Sequence, residues 1–364
     1  MKRVTVQHDR GSYPVLVGPG SLDRNELRDV VEGRRVFVVT SSKLRELHGH
    51  RLESPLAGAA SWEWILVPDG EVAKRLSVAE EAWERMLAAG GKRDSLVIGF
   101  GGGSVGDLAG FLAAGFLRGV DFVQIPTTLL AQVDASVGGK VGVDLRGGKN
   151  TVGAFHQPQL VVADVDVLST LPRRDLVSGL VESLKKGAVL DRALFERVEE
   201  LLDELLEAEV QALTEVVERS VAVKARVVEE DPFETGVRKM LNFGHTLGHA
   251  METVLGYEDL RHGEAVAYGI DFALDLSEAR GLDGQTAARV RALVRRLGLP
   301  LLPRLDVDDL LAACARDKKA RESGLTWVLC TDLGAGALDG GFEPEELRSA
   351  VVAFLDRHRA QTGR

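Results

Sequence analysis

Three histidines stand close enough in this chain to do metal chemistry together. His245 and His249 lie four apart in Asn242-Phe243-Gly244-His245-Thr246-Leu247-Gly248-His249, and His262 follows in Arg261-His262-Gly263-Glu264. On a helix, positions i and i+4 share a face. Neutral imidazole binds zinc well, and a catalytic zinc takes three protein ligands and keeps one position open. Thr246 stands where a zinc-protease helix needs Glu directly after the first His, so that class is excluded. For an isolated HxxxH, plain helix-surface histidines are the commoner outcome. Gly244 and Gly248 weigh against that outcome here. Each costs a helix about 1 kcal/mol relative to Ala, and glycine beside the His face points to close approach by a ligand or another helix.

A second group of residues is suited to anions. Gly101-Gly102-Gly103-Ser104-Val105-Gly106-Asp107 follows an apolar run at 95–100 and opens a helical pattern at 105–116. It satisfies GxGxxG, which is weak evidence by itself. Bare amides at a helix N-terminus nevertheless form a site fit for a pyrophosphate. Asp121 falls at the start of the next strand rather than at its end, where a ribose-binding acid belongs, so an ordinary Rossmann dinucleotide fold is not expected. Further on, Pro126-Thr127-Thr128 ends a strand with two hydroxyls. Gln132 to Lys140 brings Asp134, a glycine turn and Lys140 together, and Gly147-Gly148-Lys149-Asn150 repeats the glycine-then-lysine arrangement. Long glycine-rich loops with placed charges usually bind ligands.

The elements that must position these groups divide the chain in two. Arg3–His8 and Val15–Gly18 read as a hairpin or edge pair. Arg35–Thr40, Trp62–Pro68, Ser95–Phe100 and Asp121–Pro126 are near-continuous apolar strands alternating with helices, the pattern of a parallel sheet covered on both faces. Ser77-Val78-Ala79-Glu80 reads as a capping box opening a helix to about Ala89. After Pro172 the periodicity turns helical, at 172–190, 191–230, 237–256, 262–280 and 284–297, with only Leu325–Cys330 strand-like. The expected fold class is α/β, with a parallel-sheet domain over 1–168 and a mainly helical domain over 169–364.

Composition narrows the function. At 364 residues, 45% hydrophobic and 27% charged, the chain is ordinary for a globular protein of two domains. No apolar run approaches a membrane span of roughly 20 residues. Two cysteines, Cys314 and Cys330, make no disulfide framework, and the start runs directly into a strand, so a cytoplasmic location is expected. A net charge of −10 argues against non-specific nucleic-acid binding. Basic residues set among glycines and histidines point instead to an anionic small molecule.

The blocks GGGSVGDLAGF, GFLRG, IPTTLLAQVDASVGGK, GGKNTVGAF, GLVESLKKG, RKMLNFGHTLGHAME and RHGEA occur in the order and spacing of the 3-dehydroquinate synthase family, which the chain resembles over roughly residues 60 to 330. The resemblance implies an N-terminal NAD-binding domain, a C-terminal helical metal-binding domain and a homodimer, while composition and charge argue against a membrane or nucleic-acid partner. It implies zinc (or cobalt) on Glu182, His245 and His262. NAD contacts are implied at Asp69, Gly70, Glu71 and Lys74, at Gly103, Ser104, Val105, Gly106 and Asp107, at Thr127 and Thr128, at Lys140 and Lys149, and at Val167, Leu168, Ser169 and Thr170. The implied substrate set is Arg118, Asp134, Lys140, Asn150, Lys185, Lys224, Arg238, Asn242, His249 and the Lys318-Lys319 pair. Apart from the family, Arg316 to Arg321 reads as a solvated charged loop.

The implied reaction closes a phosphorylated sugar acid, 3-deoxy-D-arabino-heptulosonate 7-phosphate, to 3-dehydroquinate. It proceeds by transient oxidation with NAD, loss of phosphate, re-reduction and intramolecular aldol, a lyase step of the shikimate pathway toward aromatic amino acids. Two departures stand out: Ser104 where an apolar residue is more usual, and Thr40-Ser41-Ser42-Lys43 without an acid or amide. The competing expectations are another sugar-phosphate cyclase and an NAD- and metal-dependent polyol dehydrogenase.

Overall fold

The computed structural model describes residues 1–319 and 326–362, with side chains described to 316 and from 326 to 359. Contacts divide the chain into two compact units, Met1–Pro172 with Ala208–Pro232, and Arg173–Glu207 with Phe233–Arg364.

The first unit is built on a seven-stranded sheet. Its strands are β1 (Lys2–His8), β2 (Gly11–Val17), β3 (Arg35–Ser41), β4 (Ser61–Val67), β5 (Leu96–Gly101), β6 (Asp121–Pro126) and β9 (Leu160–Ala163), in the order β1-β2-β9-β6-β5-β3-β4. Only β1 and β2 pair antiparallel; the other neighbours run parallel. The first strands therefore join the main sheet through β2 and β9. Alternation along β3 shows why its sequence is apolar throughout. Val36 and Val38 enter one core with Leu96 and Ile98, while Phe37 and Val39 enter the other with Val97 and Phe122. The strand order reverses between β3 and β5. In open parallel sheets the crevice outside the strand C-termini at such a reversal is where ligands bind. The glycine loop leaves β5 at that point.

Local sequence explains most element ends, with four differences. The helix Leu76–Ala88 begins after Arg75 without a side-chain cap, so Ser77 lies inside the first turn and the expected capping box does not form. The glycine-rich stretch after Gly139 is a hairpin, β7 (Lys140–Leu145) with β8 (Gly148–Phe155), rather than open loops. Its glycines let two backbones close up: a Cβ at Gly153 would lie 2.2 Å from the Val141 carbonyl oxygen. The pattern at 191–230 is broken into helices Arg192–Glu200, Leu202–Leu206 and Val210–Glu230, with Ala208 left-handed between the last two. Finally, the Val210–Glu230 helix packs on β1 and belongs to the sheet unit, although chain continuity groups it with the helical half.

Among the described residues, the second unit is helical apart from the antiparallel pair β10 (Trp327–Asp332) and β11 (Ala335–Asp339). Its core joins Leu247, Met251, Phe272, Trp327 and Phe354. A helix spans Val307–Lys319, so Arg316 to Lys319 end a helix and not a loop, and another spans Pro344–Thr362. Among the described residues no helix is long and apolar enough to cross a membrane.

Candidate functional site

In the helical unit three helices converge on one point. His245 opens the helix His245–Val254, His262 opens the helix His262–Ala279, and Glu182 lies inside the helix Arg173–Leu190. The two histidine helices pack closely because glycine lines their contact. Gly244, at φ +77, is the N-cap of the first helix rather than an interior residue, and a Cβ there would meet the Ile270 backbone nitrogen at 2.8 Å. Gly248 faces Ala265 and Val266 in the same way. Close approach is thus to another helix. On the other side, Ser178 Oγ accepts from the Gly263 N–H at 2.8 Å. Arg174 donates a fork of two 2.7 Å bonds to Glu264, whose carboxylate also accepts the Arg261 N–H.

The candidate ligand atoms meet accordingly. Glu182 Oε1 lies 3.7 Å from His245 Nε2 and 3.7 Å from His262 Nε2. That oxygen is buried and has no hydrogen-bond partner, while Lys185, one turn along, holds the other carboxylate oxygen. Zinc–ligand bonds of about 2.1 Å at a tetrahedral angle put ligand atoms about 3.4 Å apart. The donor set therefore fits a zinc ion with little adjustment. Each ring is already oriented: His245 Nδ1 bonds the Phe243 carbonyl at 3.2 Å, and His262 Nδ1 bonds Glu252 Oε2 at 3.3 Å. Both partners are acceptors, so both Nε2 lone pairs are left for a metal. Burial, aided by Lys185 and the neighbouring rings, holds His245 well below the usual imidazole range and hence neutral.

His249 lies beside this pair, its ring 5.0 Å from that of His245 and 5.7 Å from that of His262, and it is the exposed member of the three. Arg238 and Asn242 sit on the single 3-10 turn Val237–Asn242 just before the first histidine helix. Arg238 is buried, and Asn242 donates to Glu234 at 2.8 Å. The side chains of Lys318 and Lys319 lie outside the described residues.

In the sheet unit the anion-binding candidates gather at the C-terminal ends of β4, β5 and β6. The helix Gly103–Gly115 starts at Gly102 with no side-chain cap, which leaves the first-turn amides of Gly103, Ser104 and Val105 available for an anion. Beside it, Thr127 Oγ1 at the end of β6 and Thr40 Oγ1 at the end of β3 are buried hydroxyls with no partner. Such orphans fit a polar ligand seated across β5. Thr128 Oγ1 instead accepts the Ala131 N–H. Gly106 serves packing, since a Cβ there would meet Gln124 Oε1 at 2.6 Å.

Asp69, Gly70, Glu71 and Lys74 belong to the turn after β4. Lys74 is buried, with Asp107 at 2.9 Å, Glu71 at 3.8 Å and Asp144 at 3.9 Å, and it also donates to Asn150. Burial pulls the Lys74 ammonium down, but Asp107 and Glu71 hold it above its ordinary range. Burial likewise lifts Glu71, but Lys74 and Lys149 bring it below the usual carboxylate range. Ser104, the unusual residue of the glycine loop, donates to Glu71 at 2.9 Å.

Asp134 lies on a single π-helical turn, Ala131–Ala135, and pairs with Lys224 at 2.9 Å. Lys140 is exposed at the start of β7. Arg118 is exposed and, with Leu117, left-handed. In the turn Val165–Thr170 the side chains of Val167 and Leu168 are core, so a ligand there meets backbone, Ser169 or Thr170. Thr170 already bonds His48 at 2.8 Å.

Two acids were missed in the sequence. Glu252 follows His245 at i+7 and His249 at i+3, spacings that place it on their face, and it is buried. Asp144 accepts the Asn150 N–H at 2.7 Å, holding that left-handed residue on the hairpin. No spacing rule pointed to Asp144.

Comparison with known proteins gives the chain a family. The family model for the N-terminal part of 3-dehydroquinate synthase matches residues 64–178, and that for its C-terminal part matches 179–320. The 3-dehydroquinate synthase of Caulobacter vibrioides is 44% identical over 98% of this chain and 98% of its own. That of Azotobacter vinelandii is 45% identical over 95% and 96%. Among solved structures, 2-epi-5-epi-valiolone synthase from Streptomyces hygroscopicus, with NAD+ and Zn2+ bound, superposes with a TM-score of 0.88 at 30% identity, over 98% of this chain and all of the other. With the two family models together matching residues 64–320, and with full-length relatives well above a third identical, the chain belongs to the 3-dehydroquinate synthase family.

Proposed function

We propose that the chain converts 3-deoxy-D-arabino-heptulosonate 7-phosphate to 3-dehydroquinate and phosphate. The observation that carries this reading is the unpartnered Glu182 oxygen aimed at the Nε2 atoms of His245 and His262. When bound there, zinc supplies a Lewis acid that lowers the pKa of a substrate hydroxyl, and NAD supplies a hydride acceptor that is regenerated within the cycle. Glu182, His245 and His262 hold the metal. The Gly103–Val105 amides, Thr127, and the Asp69–Lys74 turn with Lys149 hold the nucleotide, and Gly106, Asp107, Thr128, Lys140 and the Val167–Thr170 turn border it.

The chain's own side chains then bind substrate and move protons. Arg238 receives the carboxylate as a fork, and Asn242 and Lys185 orient the neighbouring oxygens. Arg118, Lys140, Asn150 and Lys224 bind the phosphate. Asp134 sets the Lys224 ammonium. His249, exposed beside the ligands, accepts and returns the proton of the reacting hydroxyl. Lys318 and Lys319 stay in the substrate set on the resemblance alone. The same family supports a homodimer acting in the cytoplasm as a carbon–oxygen lyase.

The test is phosphate release from the purified protein with NAD and zinc, offered the heptulosonate phosphate or sedoheptulose 7-phosphate, with NADH absorbance followed throughout. Release from the carboxylate substrate alone, without NADH build-up, is expected. Release only from the sedoheptulose substrate assigns the chain to another cyclase activity. NADH accumulation without phosphate release makes it a polyol dehydrogenase.

A further inference from the structure

The two imidazoles facing Glu182 are oriented by different means. His245 bonds the carbonyl of Phe243, two residues earlier in its own chain segment, so backbone fixes that ring. His262 is the first residue of its helix, and its Nδ1 is met by a side chain from another helix, Glu252. That carboxyl is buried, and its residue's carbonyl accepts the Tyr257 N–H at 3.0 Å as the helix ends, which fixes the backbone that presents it. An imidazole that donates one ring nitrogen to a carboxylate is locked in tautomer and orientation and becomes a better donor through the other.

We infer that Glu252 is a positioning residue for the metal centre: its carboxylate aims His262 Nε2 at the point that Glu182 Oε1 and His245 Nε2 already face. The inference rests on the reading of His262 as a metal ligand. Glu252 touches neither metal nor substrate, and it acts only through His262. A side chain that merely filled space would leave metal affinity unchanged once packing was restored.

The experiment measures zinc affinity of the metal-stripped full chain by competition with a chromogenic chelator near neutral pH. Glu252→Met fills the same volume without an acceptor, and Glu252→Gln keeps an oxygen. Circular dichroism and the metal-free melting midpoint report folding, and Glu252→Ala replaces the Met variant should that one not fold. The Met variant is expected to lose about 10–100-fold in zinc affinity, and the Gln variant to recover most of that loss. In a His262→Ala background, Glu252→Met is expected to add nothing, because its route of action is gone.

Parental zinc affinity in folded Glu252→Met, beside a large loss in His262→Ala, overturns the role of Glu252 and leaves the ligand assignment standing. Losses that simply add in the double variant overturn it too. Unchanged affinity in His262→Ala itself overturns the ligand assignment and this inference with it.

Discussion

Gly269→Ala tests whether the proposed metal centre depends on backbone-to-backbone packing of its two histidine helices. A Cβ on Gly269 would lie 1.9 Å from the Gly244 carbonyl oxygen and 3.0 Å from the Gly248 nitrogen, where ordinary contact begins at 3.4 Å. The obstruction is main chain on both sides, so no rotamer relieves it. The helices must part by about 1.5 Å at that level. Overpacking costs about 1–3 kcal/mol and sometimes more, and rigid backbone places this site at the upper end. Against it, Ala gains about 1 kcal/mol over Gly in a helix interior. A net loss of about 2 kcal/mol follows. Urea unfolding of the metal-free protein should show a lower midpoint at unchanged slope.

Gly284→Ala is the control. It opens the helix Gly284–Arg296, and its nearest neighbour would be Glu278 Oε1 at 3.8 Å. Its stability should stay within about 0.5 kcal/mol of the parent. Since Gly244 caps the helix that begins with His245, Gly269→Ala should also weaken zinc binding. Parental stability together with parental zinc affinity in Gly269→Ala would refute the packing argument.

Two further outcomes follow from buried charge. Asp271 is buried against His358, Arg357 and Arg291, with Oδ2 of the carboxylate 2.9 Å from His358 Nε2 and Oδ1 2.8 Å from Arg291 Nε. Burial alone would raise its pKa, but those partners hold it far below the usual carboxylate range. The stability it contributes is complete above the unfolded value of about 3.9 and is lost as pH falls from there toward the folded value. Asp271→Asn should therefore cost about 3 kcal/mol at neutral pH, and its deficit in urea midpoint should shrink below pH 4. A deficit independent of pH over that window would contradict the assignment. Lys74→Met leaves Asp107, Glu71 and Asp144 facing one another, so it should cost about 3 kcal/mol in urea and weaken NAD binding in a fluorescence titration. A Met variant of parental stability would show that the cluster is solvated.

The parallel sheet was legible because strands buried on both faces must be apolar throughout, and β3, β4, β5 and β6 are. β7 and β8 were not, because glycines chosen for close backbone approach look like loop glycines when the partner strand is unknown. The capping box at Ser77 failed since helix Leu76–Ala88 starts one residue earlier and turns that hydroxyl into an interior group. At the proposed metal centre, spacing pointed to the histidines but not to Glu182, which lies on a helix 63 positions before His245 and was supplied by family resemblance. Glu252 was within reach of spacing alone, as the i+7 residue of the same face. Asp144 acts through the backbone of Asn150, and no pattern of residue types encodes that.

The return of the chain to the sheet unit at Ala208–Pro232 has a consequence for synthesis. When residue 172 has left the ribosome, every strand of the large sheet exists, but the helix that packs on β1 does not. At roughly 5–20 residues per second, that interval lasts several seconds. During it the outer strand lacks its covering helix, and the intervening segment 173–207 already belongs to a unit whose remainder has not been made. Neither unit is a contiguous stretch of chain, so no single cut releases either one whole. A fragment ending at 168 would keep the glycine loop after β5 yet lack Lys224 and the helix that carries it. The two units are joined in their order of assembly, and a nascent chain stopped between 172 and 232 presents an uncovered outer strand for pairing with other unfinished chains.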